Sequence, residues 1–371
     1  MSRFLVAAAL LLLQGAATAQ ENPERVLQQA IRLHQAGDAE KAIVEYRAYL
    51  KARPDAVDAR SNLGAALDQT GRYQEAAVEY REALKRRPRD PRIRLNLALA
   101  HYKLGRISEA AAELSTLHAD QPEDTQTLLL LADCRLRQGL DRNVIDLLSP
   151  AAAQHPENLA LAYLLGTALL RDNQILRSQQ FIDRILRNGD SGEARLLMGT
   201  AKLDAREYEA AIAEFKKASE LNPGLPEVHS YLGRAYIQTG DTAAARQAFQ
   251  KDLELNPNDF ESNLNLGVLL KQDQDYEGAG KLLDRALLVR PGDPGARFQR
   301  ASVNLEAGRF EQARAEFEAI LKQAPQFVEA HIALATTYYR MKRKADGDRE
   351  RATAQKLTAE QQAGRNKENQ E

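Results

Sequence analysis

GRYQEAAVEYREALKRRP, residues 71 to 88, has close copies at two other places in the chain. They are GDAEKAIVEYRAYLKARP at 37 to 54 and GRFEQARAEFEAILKQAP at 308 to 325. The three copies have equal length, and each begins with glycine, ends with proline and has an aromatic residue at its tenth position. The apolar residues recur at the spacing of one helix face. The copies therefore predict a single amphipathic helix that the chain uses repeatedly.

The prolines set the period of the repeat. Pro54, Pro88, Pro122 and Pro156 recur with a period of 34, and the run from Pro223 to Pro325 has the same period. The interval from Pro156 to Pro223 corresponds to one repeat of 34 residues and one of 33 residues. The shorter repeat, at 159 to 191, lacks the proline that the others have. Repeats are therefore predicted to start near residues 23, 57, 91, 125, 159, 192, 226, 260, 294 and 328, the last being a cap.

Two positions of the repeat carry small residues. Position 8 is Gly or Ala in all ten repeats, from Ala30 and Gly64 to Ala335, and position 20 is almost as strict. A larger side chain where two helices approach closely overpacks the contact by about 1–3 kcal/mol. We therefore predict that small residues meet across each helix pair.

Turn and cap residues divide each repeat into a first helix, A, and a second helix, B. Position 15 is Gly or Asn in seven repeats, which predicts the left-handed residue that ends helix A. Position 34 is Asp, Asn or Ser in six repeats and is a good N-cap for the next helix A. Pro91, Pro226 and Pro294 are predicted to lie in the first helical turn, where the missing N–H is tolerated.

This pattern resembles the tetratricopeptide repeat, whose signature has small residues at 8 and 20, an aromatic residue at 24 and proline at 32. The stretch NLGAALDQTGRYQEAAVEYREALKRRP, 62 to 88, matches nearly all of that signature. The resemblance extends over about 23 to 357. It implies an all-α fold, a right-handed superhelical solenoid of about ten antiparallel helix-turn-helix repeats. Repeats four and five depart from the signature because they lose most of its aromatic residues.

Both ends of the chain differ from the repeats. Arg3, the apolar stretch FLVAAALLLL at 4 to 13 and the small residues ATA at 17 to 19 predict a signal peptide cleaved after Ala19. That stretch is too short to span a bilayer comfortably, so export to the periplasm or secretion is expected without a membrane span. The absence of an Asn-X-Ser/Thr sequon favours a bacterial envelope. Residues 358–371 contain few apolar side chains and are expected to be a disordered tail.

Composition and motifs argue against two classes of function. The formal net charge is −1, from 51 basic and 52 acidic residues, so no overall field favours nucleic acid. The basic run KRRPRDPRIR at 85 to 94 has no aromatic residue for base stacking and is interpreted as a solvated turn. The six histidines have no metal-ligand spacing, and Cys134 is expected to be a small buried hydrophobe. We therefore expect no enzyme activity, no metal and no cofactor.

The resemblance implies a peptide-binding concave surface, lined by positions 2, 5, 9, 12 and 13 of the A helices. In repeats three to six this surface carries an apolar stripe: Leu95, Leu99, Tyr102, Leu129, Leu136, Tyr163, Leu170, Leu196 and Leu203. Arg92, Lys103, Arg137 and Arg171 flank the stripe, which suggests a ligand with an apolar segment and acidic neighbours. The stripe is packing instead if the curvature of the superhelix buries the leucines.

Asn62 and Asn96, at position 6 of adjacent repeats, resemble an asparagine ladder that holds a peptide backbone. Together these features predict a non-catalytic scaffold or adaptor whose concave surface binds an unidentified protein or peptide, with self-association possible. The alternative is a structural component of a cell-envelope assembly that docks through its ends or its convex face.

Overall fold

The computed structural model describes residues 22 to 368, which form twenty α-helices and no strand. The helices are α1 Pro23–Gln35, α2 Ala39–Ala52, α3 Val57–Gln69, α4 Tyr73–Arg86, α5 Pro91–Lys103, α6 Ile107–Asp120, α7 Thr125–Arg137, α8 Asp141–Gln154, α9 Leu159–Arg171, α10 Ile175–Leu186, α11 Gly192–Asp204, α12 Tyr208–Leu221, α13 Val228–Thr239, α14 Thr242–Leu255, α15 Phe260–Gln272, α16 Tyr276–Val289, α17 Pro294–Glu306, α18 Phe310–Gln323, α19 Val328–Arg340 and α20 Lys344–Glu368. The predicted signal peptide, 1 to 19, lies outside the described residues. Within 22 to 368, no helix has the length and hydropathy to cross a membrane.

The chain divides into two compact units. The first extends to Leu104 and contains α1 to α5, and the second begins at Gly105 and contains α6 to α20. Within each unit, an odd-numbered A helix packs on the even-numbered B helix that follows it, and most B helices pack on the next A helix. The predicted all-α fold of repeated helix hairpins is confirmed.

In several helix pairs a glycine at position 8 faces a large side chain at position 24. The Tyr80 ring lies directly over Gly64, so a Cβ atom at Gly64 would be 2.6 Å from a ring carbon. Phe215 covers Gly199 in the same way. The sequence analysis did not predict this contact of position 8 with position 24. The predicted approach of position 8 to position 20 is found at Gly267, where a Cβ atom would lie 3.4 Å from the Ala279 backbone oxygen.

All ten A helices end in a left-handed turn. The residue at position 15 has a positive φ in every repeat: Gly37, Gly71, Gly105, Gly139, Asn173, Arg206, Gly240, Gln274, Gly308 and Lys342. Arg206, Gln274 and Lys342 take this conformation without being Gly or Asn. The backbone of the hairpin therefore imposes the conformation on them, at a cost of about 1–2 kcal/mol.

The N-cap prediction holds at the six expected positions. The side chain accepts a hydrogen bond from a backbone N–H of the first helical turn at Asp90, Asp124, Asn158, Ser191, Asp259 and Asp293. Repeat seven differs, because α13 begins at Val228 and Pro226 lies outside the helix. Its N-cap is Glu227, which has a φ of 67° and whose side chain makes no cap hydrogen bond.

The C-terminal segment also departs from expectation. The sequence predicts a disordered tail at 358–371, whereas α20 continues as a helix to Glu368. Ala, Glu, Gln, Lys and Arg dominate this part of the sequence, and they are strong helix formers that need little packing to propagate an existing helix.

The strained turns lead to a stability prediction. Arg206→Gly and Gln274→Gly should each raise the free energy of unfolding by about 0.5–1 kcal/mol, because relief of the left-handed strain exceeds the added entropy of the unfolded chain. Gly71→Ala, with a φ of 74°, should lower it by about 1 kcal/mol. Urea unfolding followed by circular dichroism measures all three variants. A destabilised Arg206→Gly variant, or a neutral Gly71→Ala variant, would contradict the argument.

Candidate functional site

Four leucines of the predicted binding stripe are buried. Leu136, Leu170, Leu196 and Leu203 are between 1% and 8% exposed. Leu136 and Leu170 belong to one core cluster of the second unit, and Leu196 and Leu203 belong to another. The prediction that these side chains form an exposed apolar stripe is therefore wrong, because neighbouring repeats cover them; Leu170 nevertheless lines the pocket described below.

The other residues of the stripe are partly accessible. Leu129 and Tyr163 are half-buried and pack on the same clusters of the second unit. In the first unit, Leu95 and Tyr102 are half-buried and Leu99 is 38% exposed. The stripe is therefore not a continuous apolar surface.

The asparagine pair takes part in packing between repeats. Asn62 lies beside the hydroxyl of Tyr46, and Asn96 lies beside that of Tyr80, which donates to Asp68 Oδ2 at 2.8 Å. Burial raises the pKa of both tyrosines. Both asparagines thus lie at contacts between neighbouring repeats of the first unit.

The second unit instead forms a pocket of about 460 Å³ on the side lined by its A helices. We call it the charged pocket, and its polar lining includes Arg137, Asp141, Arg171, Asn173, Thr200, Asp204, Glu227, Ser230, Tyr231, Arg234, Asp259, Glu261 and Arg290. These residues come from repeats four to eight. Of the predicted site residues, the structure brings Arg137, Leu170 and Arg171 together here.

Arg171 joins repeat five to repeat seven across the pocket. Its Nη2 donates to Glu227 Oε2 at 2.7 Å, and its Nε donates to the Tyr231 hydroxyl at 3.2 Å. Its Nη1 donates to the backbone carbonyl of Leu136 at 3.0 Å. Both charged side chains are less than one-fifth exposed, so this ion pair is weakly screened by solvent.

Arg290 joins repeat eight to repeat four. Its Nε donates to the backbone carbonyl of Arg137 at 2.6 Å, across 153 residues of sequence. Its guanidinium lies 4.0 Å from the centre of the Phe260 ring and pairs with Glu261. Nearby, α6 packs on α16, and a Cβ atom at Gly105 would lie 2.8 Å from the Asn258 side chain. The second unit thus closes on itself, and the charged pocket is the space that remains on its inner side.

The predicted acidic ligand is not supported at this site. Arg171 is neutralised by Glu227, and Arg137 Nε donates to Asp133 at 2.9 Å. Both guanidinium charges therefore already have a carboxylate partner within the chain.

Three other polar groups line the pocket, and one of them, Asp204, is exposed to solvent. The Arg234 guanidinium lies 5.1 Å from the centre of the Tyr231 ring and makes no hydrogen bond to the described residues. Asp141 Oδ1 is buried without a hydrogen-bond partner there. Burial raises the pKa of the Asp141 and Asp204 carboxyl groups. The pocket can thus offer one cationic donor and two acidic acceptors to a ligand.

Sequence analysis missed Glu227, Arg234 and Arg290. Glu227 and Arg234 lie at positions 2 and 9 of repeat seven, so the family pattern could have found them had it been applied beyond repeat six. Arg290 follows helix B of repeat eight, at a position to which the pattern assigns no role.

Two acidic side chains are buried beside the pocket. Asp252 Oδ1 accepts from the Ser230 backbone N–H at 3.2 Å, and its Oδ2 accepts from the Ser262 hydroxyl at 2.9 Å. Asp259 accepts from the Ser230 hydroxyl and from the Ser262 backbone N–H. Burial raises the pKa of Asp252 to about 8, and the negative charges of Asp259 and Glu227 add to the increase. This cluster ties α13, α14 and α15 together through the Asp252 and Asp259 carboxyl groups.

Other candidate chemistry is accounted for by packing and pairing. Among residues 22 to 368, no three His, Cys, Asp or Glu side chains are placed to hold a metal ion. Cys134 is buried, which raises its pKa to about 12 and keeps it a thiol, not a reactive thiolate. In the basic run, Arg86 pairs with Asp55, and Arg87 pairs with Asp58 at 2.7 Å.

The Asp252 cluster leads to a pH-dependent prediction. The pKa of Asp252 is higher in the folded than in the unfolded chain, so the protein should lose stability as pH rises from about 4 to about 8. Asp252→Asn should remove this loss of stability. Its free energy of unfolding should exceed that of the unmodified protein by about 1–3 kcal/mol at pH 8, and the two proteins should not differ in this way at pH 4. Urea unfolding at pH 4, 6 and 8 tests this. Asp120→Asn, at an exposed site, is the control, and an unchanged pH profile in Asp252→Asn would refute the assignment.

Comparisons with known proteins concern the repeat. Tetratricopeptide-repeat family models match residues 27–91, 69–134, 202–262 and 266–340. No curated protein matches this chain in sequence. Among solved structures, the Cut9–Hcn1 hetero-tetramer of the APC/C has a TM-score of 0.55 at 13% identity, covering 91% of this chain and 88% of its own.

Two further structures match at lower similarity. MamA from Desulfovibrio magneticus RS-1 has a TM-score of 0.44 at 20% identity, over 47% of this chain and 98% of its own. IFIT1 has a TM-score of 0.47 at 14% identity, over 91% of each chain. The family matches along the sequence and the repeated helix pairs lead to one conclusion: the chain belongs to the tetratricopeptide repeat family.

Proposed function

We propose that this protein is a non-catalytic scaffold that binds a segment of a partner protein in the charged pocket of its second unit. Membership of a repeat family that serves protein–protein interaction supports a protein partner. The observation that carries the proposal is the buried Asp141 Oδ1, which has no hydrogen-bond partner among the described residues, in a pocket that also presents Arg234 and the exposed carboxylate of Asp204. A buried acceptor without a partner costs about 1–3 kcal/mol, which a ligand that donates a hydrogen bond would recover.

The same groups indicate the chemistry of the ligand. Asp141 and Asp204 require a hydrogen-bond donor or a cation, whereas Arg234 requires a carbonyl or a carboxylate. An extended peptide backbone offers both N–H and C=O groups, and a lysine or arginine side chain adds the cation. The ligand is therefore a polar, basic peptide segment and not the apolar and acidic segment that the sequence suggested.

Peptide binding tests the proposal directly. Dodecapeptides selected from a random library on the intact protein should be enriched in lysine or arginine. In fluorescence anisotropy, Asp204→Arg should weaken their binding at least tenfold, about 1.4 kcal/mol, because it replaces an acidic acceptor of the pocket with a cation that repels a basic peptide. Asp120→Arg makes the same charge change at an exposed site of α6 outside the pocket and should leave the affinity unchanged.

Equal losses in both variants would show that binding follows overall charge and not the pocket. Selected peptides that bind Asp204→Arg as well as the unmodified protein would place the ligand elsewhere and overturn the assignment of the site.

The alternative function, a structural role through the ends or the convex face, is favoured by a separate observation. Leu176, on α10, is 93% exposed, and Val44, on α2, is 64% exposed. If Leu176→Glu abolishes assembly in the cell envelope while Asp204→Arg has no effect, the structural role replaces peptide binding.

We also propose that the protein is exported after cleavage at Ala19, on the basis of the signal-peptide pattern at residues 1 to 19. Cleavage predicts that N-terminal sequencing of the protein from the envelope fraction begins at Gln20. A mature protein that retains Met1 and Arg3 would contradict export by this route.

A further inference from the structure

The last helix pair leaves open a groove that earlier pairs of the second unit fill. From α7 to α18, the A helix of each following repeat packs on both helices of the pair before it. No such helix follows α19 and α20 in the part of the chain that the structure describes. We call the resulting space of about 530 Å³ the terminal groove, and it is lined by Ile332, Thr336 and Tyr339 of α19 and by Arg351, Ala354 and Thr358 of α20.

The preceding groove shows what kind of element fits. Between α17 and α18, that groove is filled by α19, whose Ala330, Leu334 and Tyr338 pack on a cluster that includes Phe317 and Ile320. These three residues of α19 have the spacing i, i+4 and i+8, so they lie on one helix face. The occupant of such a groove is therefore an α-helix with one apolar face.

The terminal groove is exposed because no A helix packs on α19 and α20 among the described residues. Ile332 and Tyr339 are 53% and 37% exposed, whereas Phe298 and Leu305, at the same positions of repeat nine, are half-buried. The groove is nevertheless well formed. The Tyr339 ring lies directly over Gly347, where a Cβ atom would be 2.5 Å from the ring, and its hydroxyl donates to Asp348 at 2.9 Å.

The charge of the groove selects its occupant. Position 24 of the repeat, an aromatic residue in most B helices, is Arg351 in α20 and lines the groove. The first helix of a second copy of the chain would be a poor occupant. Of the three α1 positions equivalent to Ala330, Leu334 and Tyr338, two are the exposed polar residues Arg25 and Gln29. Those polar residues cap the N-terminal end against stacking on another repeat.

We propose that the terminal groove binds an amphipathic α-helix of a partner protein. The helix carries small or branched apolar residues at i, i+4 and i+8 and an acidic residue that faces Arg351. This surface is separate from the charged pocket and takes a different class of ligand.

A helical peptide that copies Val328–Arg340, bridged on its polar face and labelled with fluorescein, is the probe. The full-length protein should bind it saturably, and a version with glutamates beside the apolar face should bind more tightly. Ile332→Glu should weaken binding at least tenfold, and Thr336→Arg, which fills the groove, should do the same. Leu176→Glu introduces the same charge at an exposed site of α10 and should have no effect. Arg351→Glu should remove the advantage of the glutamate-bearing peptide.

Thermal unfolding confirms that each variant is folded, so the binding measurements report on the terminal groove itself. The absence of saturable binding up to about 1 mM, or equal binding to Ile332→Glu and Thr336→Arg, would overturn the proposal. Sedimentation velocity distinguishes the remaining occupant. If the unmodified protein is a dimer that Ile332→Glu dissociates, a second copy fills the groove and the partner helix is excluded. Asp204→Arg changes the charged pocket and leaves the lining of the terminal groove intact, so the two proposals fail separately.

Discussion

The contact between a small residue at position 8 and a large side chain at position 24 is the interaction on which the repeat depends. Gly64 under Tyr80 and Gly199 under Phe215 bring the two helix axes close enough for one short hairpin to bury an aromatic ring completely. Each ring then gives the next repeat a surface on which to pack. Tyr80, for example, belongs to the cluster that contains Ile93 and Leu97 of the following A helix. Stability therefore passes from repeat to repeat through these rings, without disulfides or metal ions among the described residues.

Features that depend on a few neighbouring residues were predictable from the sequence. Proline spacing, the glycines at position 15 and the N-caps such as Asp90 are local signals, and they identify the hairpins because each acts within one turn of its helix. Arg206 and Gln274 adopt the same turn without the expected residue, since the packed hairpin determines their conformation. The extension of α20 was missed because low hydrophobicity is also typical of disorder, although the residues concerned favour helix.

Features that depend on accumulated curvature were not predictable. Whether Leu170 or Leu196 faces a ligand or another repeat depends on the angle between successive hairpins, and no single repeat reveals that angle. The same holds for Arg290, whose partner lies 153 residues away. The charged pocket exists because the second unit curves until repeat eight reaches repeat four. Burying a charge such as Arg171 is costly unless it is paired, and Glu227 provides that pair on the far side of the space.

The contact from Arg290 to the Arg137 carbonyl changes how the second unit can fold. An open repeat array is nearly one-dimensional, so its folding can begin anywhere and spread between neighbours, and terminal repeats can be deleted with local effects only. A closed array adds a contact between residues that are far apart in the sequence. This contact can form only after the intervening repeats are ordered, so it slows the last step of folding. Deleting repeat eight would then release repeat four as well. The evolutionary gain or loss of single repeats, a common route of change in such proteins, is consequently constrained between repeats four and eight and freer outside them.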